Sequence, residues 1–189
     1  MIIKIEREDL VGFRFLQIVI CIILTIFLFL KLSLNLQFLF FCIFSYLLVF
    51  LSFIDLKYKA VPDYLLLLVF VLSFFITDFS LEDSFLNAFI ASGAIFLLNF
   101  IVTFYIQNIK SRILKDENLK NQVALGEGDI PIIASMAVVL GLNSLTYAIL
   151  LSAIIAILHT ISINFIKKDI QIPFIPSLVL GFFIENFFS

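Results

Sequence analysis

Seven apolar runs, at about 13–30, 36–54, 64–77, 86–106, 130–142, 145–166 and 171–188, alternate along the chain with short charged or turn-forming pieces. A membrane span needs about 20 mostly apolar residues, so runs of this kind read as membrane helices. Each break has a physical cause. Lys31 follows the first run, Lys57 to Asp63 the second, and Asp78 with Glu82 and Asp83 the third. The fourth run ends in the only long polar stretch, Gln107 to Gly128, which carries Lys110, Arg112, Lys115, Asp116, Glu117 and Lys120. Gly141-Leu142-Asn143-Ser144 reads as a tight turn, and Lys167-Lys168-Asp169 separates the last two runs. The pattern predicts an all-α polytopic bundle of about seven (six to seven) transmembrane helices, forming a single membrane-embedded domain over residues 1–189. The fifth run is short: 13 residues cover about 20 Å, less than a roughly 30 Å core. It is expected to start below the membrane surface or to be re-entrant, which carries Asp129 deeper than a loop residue.

Composition strengthens the membrane reading. The 189 residues are 63% hydrophobic with 25 Phe, no Trp and a mean hydropathy of +1.21, against roughly 45–50% apolar residues in soluble domains. No soluble domain of any size fits between the runs. A net charge of −2 gives no reason to expect nucleic acid as a partner; the position of the charges carries the information. Cys21 and Cys42 lie inside apolar runs without a CxxC spacing, so they read as small hydrophobes and exclude a zinc ribbon. Residues 1–13 carry Lys4, Glu6, Arg7, Glu8 and Asp9, and no small-residue cleavage site follows. The first span therefore reads as permanent. With the N-terminus inside, inner segments hold Lys4, Arg7, Arg14, Lys57, Lys59, Lys110, Arg112, Lys115, Lys120, Lys167 and Lys168, leaving only Lys31 outside. Cationic loops stay cytoplasmic, which predicts an N-in, C-out topology.

The candidate chemistry is acidic. Gly126-Glu127-Gly128-Asp129 opens directly into Ile130-Pro131-Ile132-Ile133-Ala134, placing a carboxylate at the mouth of an apolar run. Its two glycines lack Cβ and let the backbone pass close to another chain. Asp55 closes an earlier run in the same way. Ionisable groups at the edge of membrane segments are costly and usually face a polar cavity or a partner. In the predicted topology Asp55 ends an inward-going helix and Asp129 begins an outward-going one, so both lie at the cytoplasmic face. Two carboxylates a few Å apart cannot both ionise cheaply, so one holds a proton and the other stays charged. The charged one can take a proton from water while the other polarises an amide carbonyl. Neither a metal, nor another cofactor, nor a covalent intermediate is needed.

Three stretches together resemble the type IV prepilin peptidases, which belong with presenilin-type enzymes to the GxGD intramembrane aspartyl proteases. Ile54-Asp55-Leu56-Lys57-Tyr58-Lys59-Ala60-Val61-Pro62-Asp63 is similar to the family's acidic motif. Gly126-Glu127-Gly128-Asp129 supplies GxGD, and Ile172-Pro173-Phe174-Ile175-Pro176-Ser177-Leu178 looks like the Pro-Phe-Gly-Pro pattern opening the family's last helix. The resemblance implies that Asp55 and Asp129 are the catalytic pair, supported by Gly126 and Gly128. It also implies cleavage of a short basic leader, usually after Gly, at the cytoplasmic face of the bacterial inner membrane. The substrate would be a prepilin or a pseudopilin of a pilus, type II secretion or DNA-uptake system. The chain departs from the pattern at Ile130-Pro131, where the family has a small apolar residue and Lys, and at Ile175, where it has Gly. Pro at the first turn of a helix is well tolerated. The family's N-terminal domain with paired CxxC motifs is not seen, so the chain reads as a short form without N-methyltransferase activity.

Other polar residues have plainer readings. Asp63 after Pro62 suits a helix start, where its carboxylate can accept N–H bonds. Glu127 reads as a solvated loop residue, and Lys57 and Lys59 as orientation signals at the lipid interface. Asp116, Glu117 and Glu127 are the acids that could attract a basic leader. His159 and Asn99 read as hydrogen-bonded side chains between helices, and the Phe-rich faces as lipid contact. A different class of function, a membrane carrier with a paired-carboxylate proton or cation site, requires a polar path across the membrane, for which the outer helix halves supply few residues.

Overall fold

Polar punctuation between the apolar runs supplies the helix starts. In the computed structural model, which describes residues 11–31, 35–114, 123–164 and 173–188, α1 (Val11–Lys31) is followed by α2 (Leu36–Tyr58), whose N-cap Asn35 accepts the Phe38 N–H at 2.9 Å. Helix α3 (Asp63–Ser73) starts after Pro62, so Asp63 is its first residue and not its cap; an acid in the first turn still complements the helix dipole. Helix α4 (Leu81–Phe104) is capped by Ser80, which accepts the Asp83 N–H at 3.1 Å. It runs on through a π-helical stretch, Tyr105–Lys110, into a last turn, α5 (Ser111–Leu114). Two elements follow, α6 (Asp129–Asn164) and α7 (Ile175–Phe188), and there is no strand among the described residues. The acidic and basic residues at 1–10, 115–122 and 165–172, including Asp116, Glu117 and most of the cations behind the expected orientation, lie outside the described residues.

The protein is thus a helical membrane protein; among the described residues three helices are long and apolar enough to cross a bilayer: Leu36–Tyr58, Leu81–Ile113 and Asp129–Ser162. The apolar stretches Phe15–Lys31, Asp63–Ser73 and Ile175–Phe188 are shorter. Among the described residues there are six helices of more than ten residues, against about seven (six to seven) expected, because the fifth and sixth runs share α6. Only Gly141 breaks it, at φ 73° and ψ 169°, a conformation that L side chains rarely adopt. Asn143 and Ser144, expected in a turn, are helical.

The single glycine is nevertheless enough to send the chain back. Twelve residues separate Asp129 from Gly141 and eleven separate Gly141 from Ser152, about 18 Å and 16 Å of helix rise. Ser152 Oγ lies 3.5 Å from the Leu178 carbonyl oxygen, only three residues into α7, whose first residue is at the Asp55 end of the molecule. A straight α6 would put Ser152 about 34 Å from Asp129, so the two arms of α6 must run in opposite directions.

Contacts then sort the molecule into two ends. At one, Gln37 Nε2 donates to the Ile76 carbonyl and to Asp78 Oδ1, both at 2.9 Å, and Thr77 Oγ1 donates to the Val138 carbonyl at 2.7 Å. The Phe79 ring lies against Gly141, and Lys31 donates to the Asn186 carbonyl, also at this end. At the other end are Asp55, Asp129 and Ile175. Between them α2 packs on α1, α3 and α7, and α6 packs on α3, α4 and α7. Phe44, Leu48, Leu51 and Ile54 of α2 are fully buried with Ile132, Ile133 and Met136 of α6 and Leu178 and Phe182 of α7. Phe44 meets Phe182 edge-on at 5.8 Å between ring centroids. In lipid, such packing and not water exclusion holds helices together. Thr25 and Tyr46 share a hydroxyl hydrogen bond between α1 and α2.

Candidate active site

Asp55 sits in the last turn of α2, where a carboxylate opposes the negative end of the helix dipole by about 0.3–1 kcal/mol. The fold offsets this from another element. The N–H of Ile175, in the first turn of α7, donates to Asp55 Oδ2 at 3.1 Å across 120 residues of sequence. That N–H has no partner inside its own helix, so the N-terminus of α7 and the end of α2 satisfy each other. Directly behind the carboxylate, the Asp55 carbonyl accepts the Lys59 N–H at 2.9 Å, with Lys59 in the left-handed conformation that closes α2.

Asp129 is held differently. It is the first residue of α6, so its carboxylate complements the positive end of that helix. Its N–H donates to the Gly126 carbonyl and its Oδ2 accepts the Gly126 N–H, both at 3.1 Å. This reciprocal pair fixes the side chain against its own loop. Both aspartates are buried, at 7% and 5% exposure, and the Asp55 carboxylate is within electrostatic range of Asp129. Among the described residues α2 and α6 make no close backbone contact, while α3 and α7 pack against both. The two acids therefore sit on separate helices that α3 and α7 bridge.

The motif glycines act otherwise than expected. Neither has a positive φ, and neither lies against the backbone of another segment. A Cβ on Gly126 would meet Asp129 Oδ2 at 3.2 Å, and one on Gly128 would meet only side chains, Leu66 Cδ1 at 3.6 Å and Val61 Cβ at 3.8 Å. Gly126 leaves room for the carboxylate itself. Gly128 is where the loop rests on the start of α3, so the Asp55–Asp63 stretch and the Gly126–Asp129 stretch meet in space. The close backbone approach expected of a glycine at 175 is made by Ile175 through its N–H.

Of the remaining candidates, Glu127 is exposed as expected of a loop residue, and Lys59 is exposed beside half-buried Lys57. Pro131 falls in the first turn of α6, where a proline is tolerated. His159 is half-buried on the second arm of α6, and no hydrogen bond from its ring is found among the described residues. No three His, Cys, Asp or Glu side chains cluster as a ligand set among the described residues. The backbone N–H of Ile175 is a site component that no side-chain pattern announces; the prolines at 173 and 176, which fix where α7 starts, were the available signal.

No curated protein and no solved structure matches the chain. A family model does, over residues 42–161, more than half of the chain and a segment that holds both Asp55 and Asp129. The stretch at Pro173–Leu178 lies beyond the matched residues. On that match the chain belongs to the type IV leader peptidase family.

Proposed function

We propose that this protein is an intramembrane aspartyl endopeptidase that removes the basic leader of type IV prepilin-like proteins, with Asp55 and Asp129 as its catalytic pair. The observation that carries the reading is the pair itself: two buried carboxylates, 120 residues from one partner and three from the other, each with one oxygen bound by a backbone N–H. Such anchoring fixes the carboxylate planes and leaves the second oxygen of each for water and peptide.

The chemistry needs only these groups. One proton is shared by the pair. The ionised aspartate accepts a proton from water as the water oxygen attacks the scissile carbonyl carbon, and the protonated aspartate donates to the carbonyl oxygen. With the roles exchanged, the aspartate that took the water proton gives it to the leaving nitrogen as the C–N bond breaks, and the other takes a proton from a gem-diol hydroxyl, which returns the pair to its starting state with one proton. Gly126 and Gly128 support this geometry by clearing Asp129 and seating its loop.

The end of the molecule that carries Asp55 and Asp129 also carries Lys57 and Lys59, whereas Lys31 is at the opposite end. Cation placement supports an active site at the cytoplasmic face of the bacterial inner membrane, with the N-terminus inside. The whole chain serves as one membrane-embedded unit, in contact with lipid and with a prepilin or pseudopilin. The test is co-expression with a tagged protein bearing a basic leader, a Gly at the junction and an apolar N-terminal helix. Asp55→Asn and Asp129→Asn are each expected to abolish the mobility shift seen with the unaltered protein. Unchanged processing by either variant would end the assignment.

A further inference from the structure

Most of α4 faces outward, with Phe89, Phe96, Leu97, Leu98, Phe100 and Ile101 all more than half exposed. One stripe is covered: Ala88, Ala91, Ile95, Asn99 and Thr103 are buried or half-buried at helical spacing. An amide such as Asn99 at this depth is costly unless its donor and acceptor are both used. They are used, and not by another helix. The Leu125 N–H donates to Asn99 Oδ1 at 2.9 Å, and Asn99 Nδ2 donates to the Leu125 carbonyl at 3.5 Å. One turn on, Thr103 Oγ1 accepts the Ala124 N–H at 3.1 Å and donates to Asn99 Oδ1 at 3.3 Å.

The side-chain amide thus pairs with Leu125 as a neighbouring backbone would. Residues 123–128 are not helical, so their backbone groups have no ladder of their own, and non-helical backbone at membrane depth is tolerated only where something satisfies it. Leu125 is bonded directly to Gly126, whose N–H and carbonyl hold the side chain and backbone of Asp129 at 3.1 Å each. A continuous run of bonds leads from α4 to the carboxylate.

We propose that Asn99, with Thr103, is a positioning residue for Asp129: the pair latches the loop ahead of Gly126 to α4 and so sets where the Asp129 carboxylate stands relative to Asp55. The proposal rests on the reading of Asp129 as a member of the catalytic pair. A purely structural role for Asn99 would lower the amount of folded protein and leave the turnover of each folded molecule unchanged. A positioning role lowers turnover itself, because displacement of a reacting group by about 1 Å costs on the order of 100-fold.

The experiment uses the full chain, purified in detergent, with a peptide carrying a basic leader, a Gly junction and an apolar helix. Per folded molecule, Asn99→Leu is expected to lower kcat by about 10- to 100-fold with KM changed less than about twofold. Thr103→Val, of equal shape, should lose about 3- to 10-fold, and Thr103→Ser, which keeps the hydroxyl, should restore most of it. Hydrogen exchange at the Ala124 and Leu125 amides should quicken in the Leu and Val variants. Where Asn99→Leu does not accumulate, the Thr103→Val and Thr103→Ser comparison decides. Full kcat in the Leu and Val variants beside an inactive Asp129→Ala would overturn the latch alone, as would equal losses for Thr103→Val and Thr103→Ser. Full cleavage by Asp129→Ala would overturn the catalytic pair, and the latch with it.

Discussion

Replacing Gly181 by Ala tests whether the packing of α7 on α6 holds the site. A Cβ at 181 would collide with Ser152 Oγ and stand 2.5 Å from the Ala148 carbonyl oxygen and 3.0 Å from the Ser152 nitrogen. The hydroxyl can turn away; the backbone atoms cannot. Restoring an ordinary contact of about 3.4 Å to that oxygen requires α7 to retreat by about 0.9 Å, a gap that forfeits a quarter to a half of each dispersion contact it opens. Leu178 and Phe182, both fully buried, lie on the helix that moves. Overpacking costs about 1–3 kcal/mol where neighbours can adjust; with backbone opposing, about 2–4 kcal/mol is expected here. The Ile175 N–H would recede from Asp55 toward about 4 Å, beyond hydrogen-bond reach, so cleavage should fall on the order of 100-fold. The buried, unpaired Cys42 thiol provides an unfolding probe for a thiol-reactive dye in detergent. Ser152→Gly in the same molecule removes one of the three collisions and should recover only part of the loss. A Gly181→Ala protein that melts and cleaves like the unaltered one would refute the reasoning.

Three further substitutions separate the jobs of Gly126, Gly128 and Gly141. Gly126→Ala crowds Asp129 Oδ2 at 3.2 Å without straining φ, so stability should change by less than about 0.5 kcal/mol while cleavage slows several-fold; an unchanged rate would mean the carboxylate has slack. Gly128→Ala makes only ordinary contacts at 3.6 and 3.8 Å, and its melting and cleavage should stay close to those of the unaltered protein. Gly141→Ala puts a side chain at φ 73° and sets its Cβ 2.8 Å from Phe79 Cζ. Strain of about 1–3 kcal/mol is expected from the backbone alone, so adding Phe79→Ala should recover little of the lost melting temperature. Full recovery would place the cost in the contact and not in the turn.

What the sequence made legible follows from the kind of signal each feature leaves. Apolar length announces helices, and carboxylates at the ends of apolar runs are conspicuous, so α2, α4 and α6 and the residues Asp55 and Asp129 could be picked out by inspection. The fifth and sixth helices were expected to be separate because Gly141-Leu142-Asn143-Ser144 has turn composition. The fold needs only one residue of it: Gly141 alone reverses direction, and Asn143 and Ser144 return at once to helical dihedrals. Features built from backbone groups left almost no trace. The Ile175 N–H that holds Asp55 belongs to a residue whose side chain departs from the family pattern, because a hydrogen bond from N–H asks for a helix start at that point and not for a particular side chain. Asn99 was visible but misdirected, as an amide in an apolar run most simply bonds to the next helix; its partner is instead a loop 26 residues away that had no periodicity to place it. Both cases have one cause. Burying a carboxylate beside lipid obliges the fold to surround it with satisfied backbone, and the side chains that do so are chosen for where they put N–H groups, a requirement that many residue types can meet.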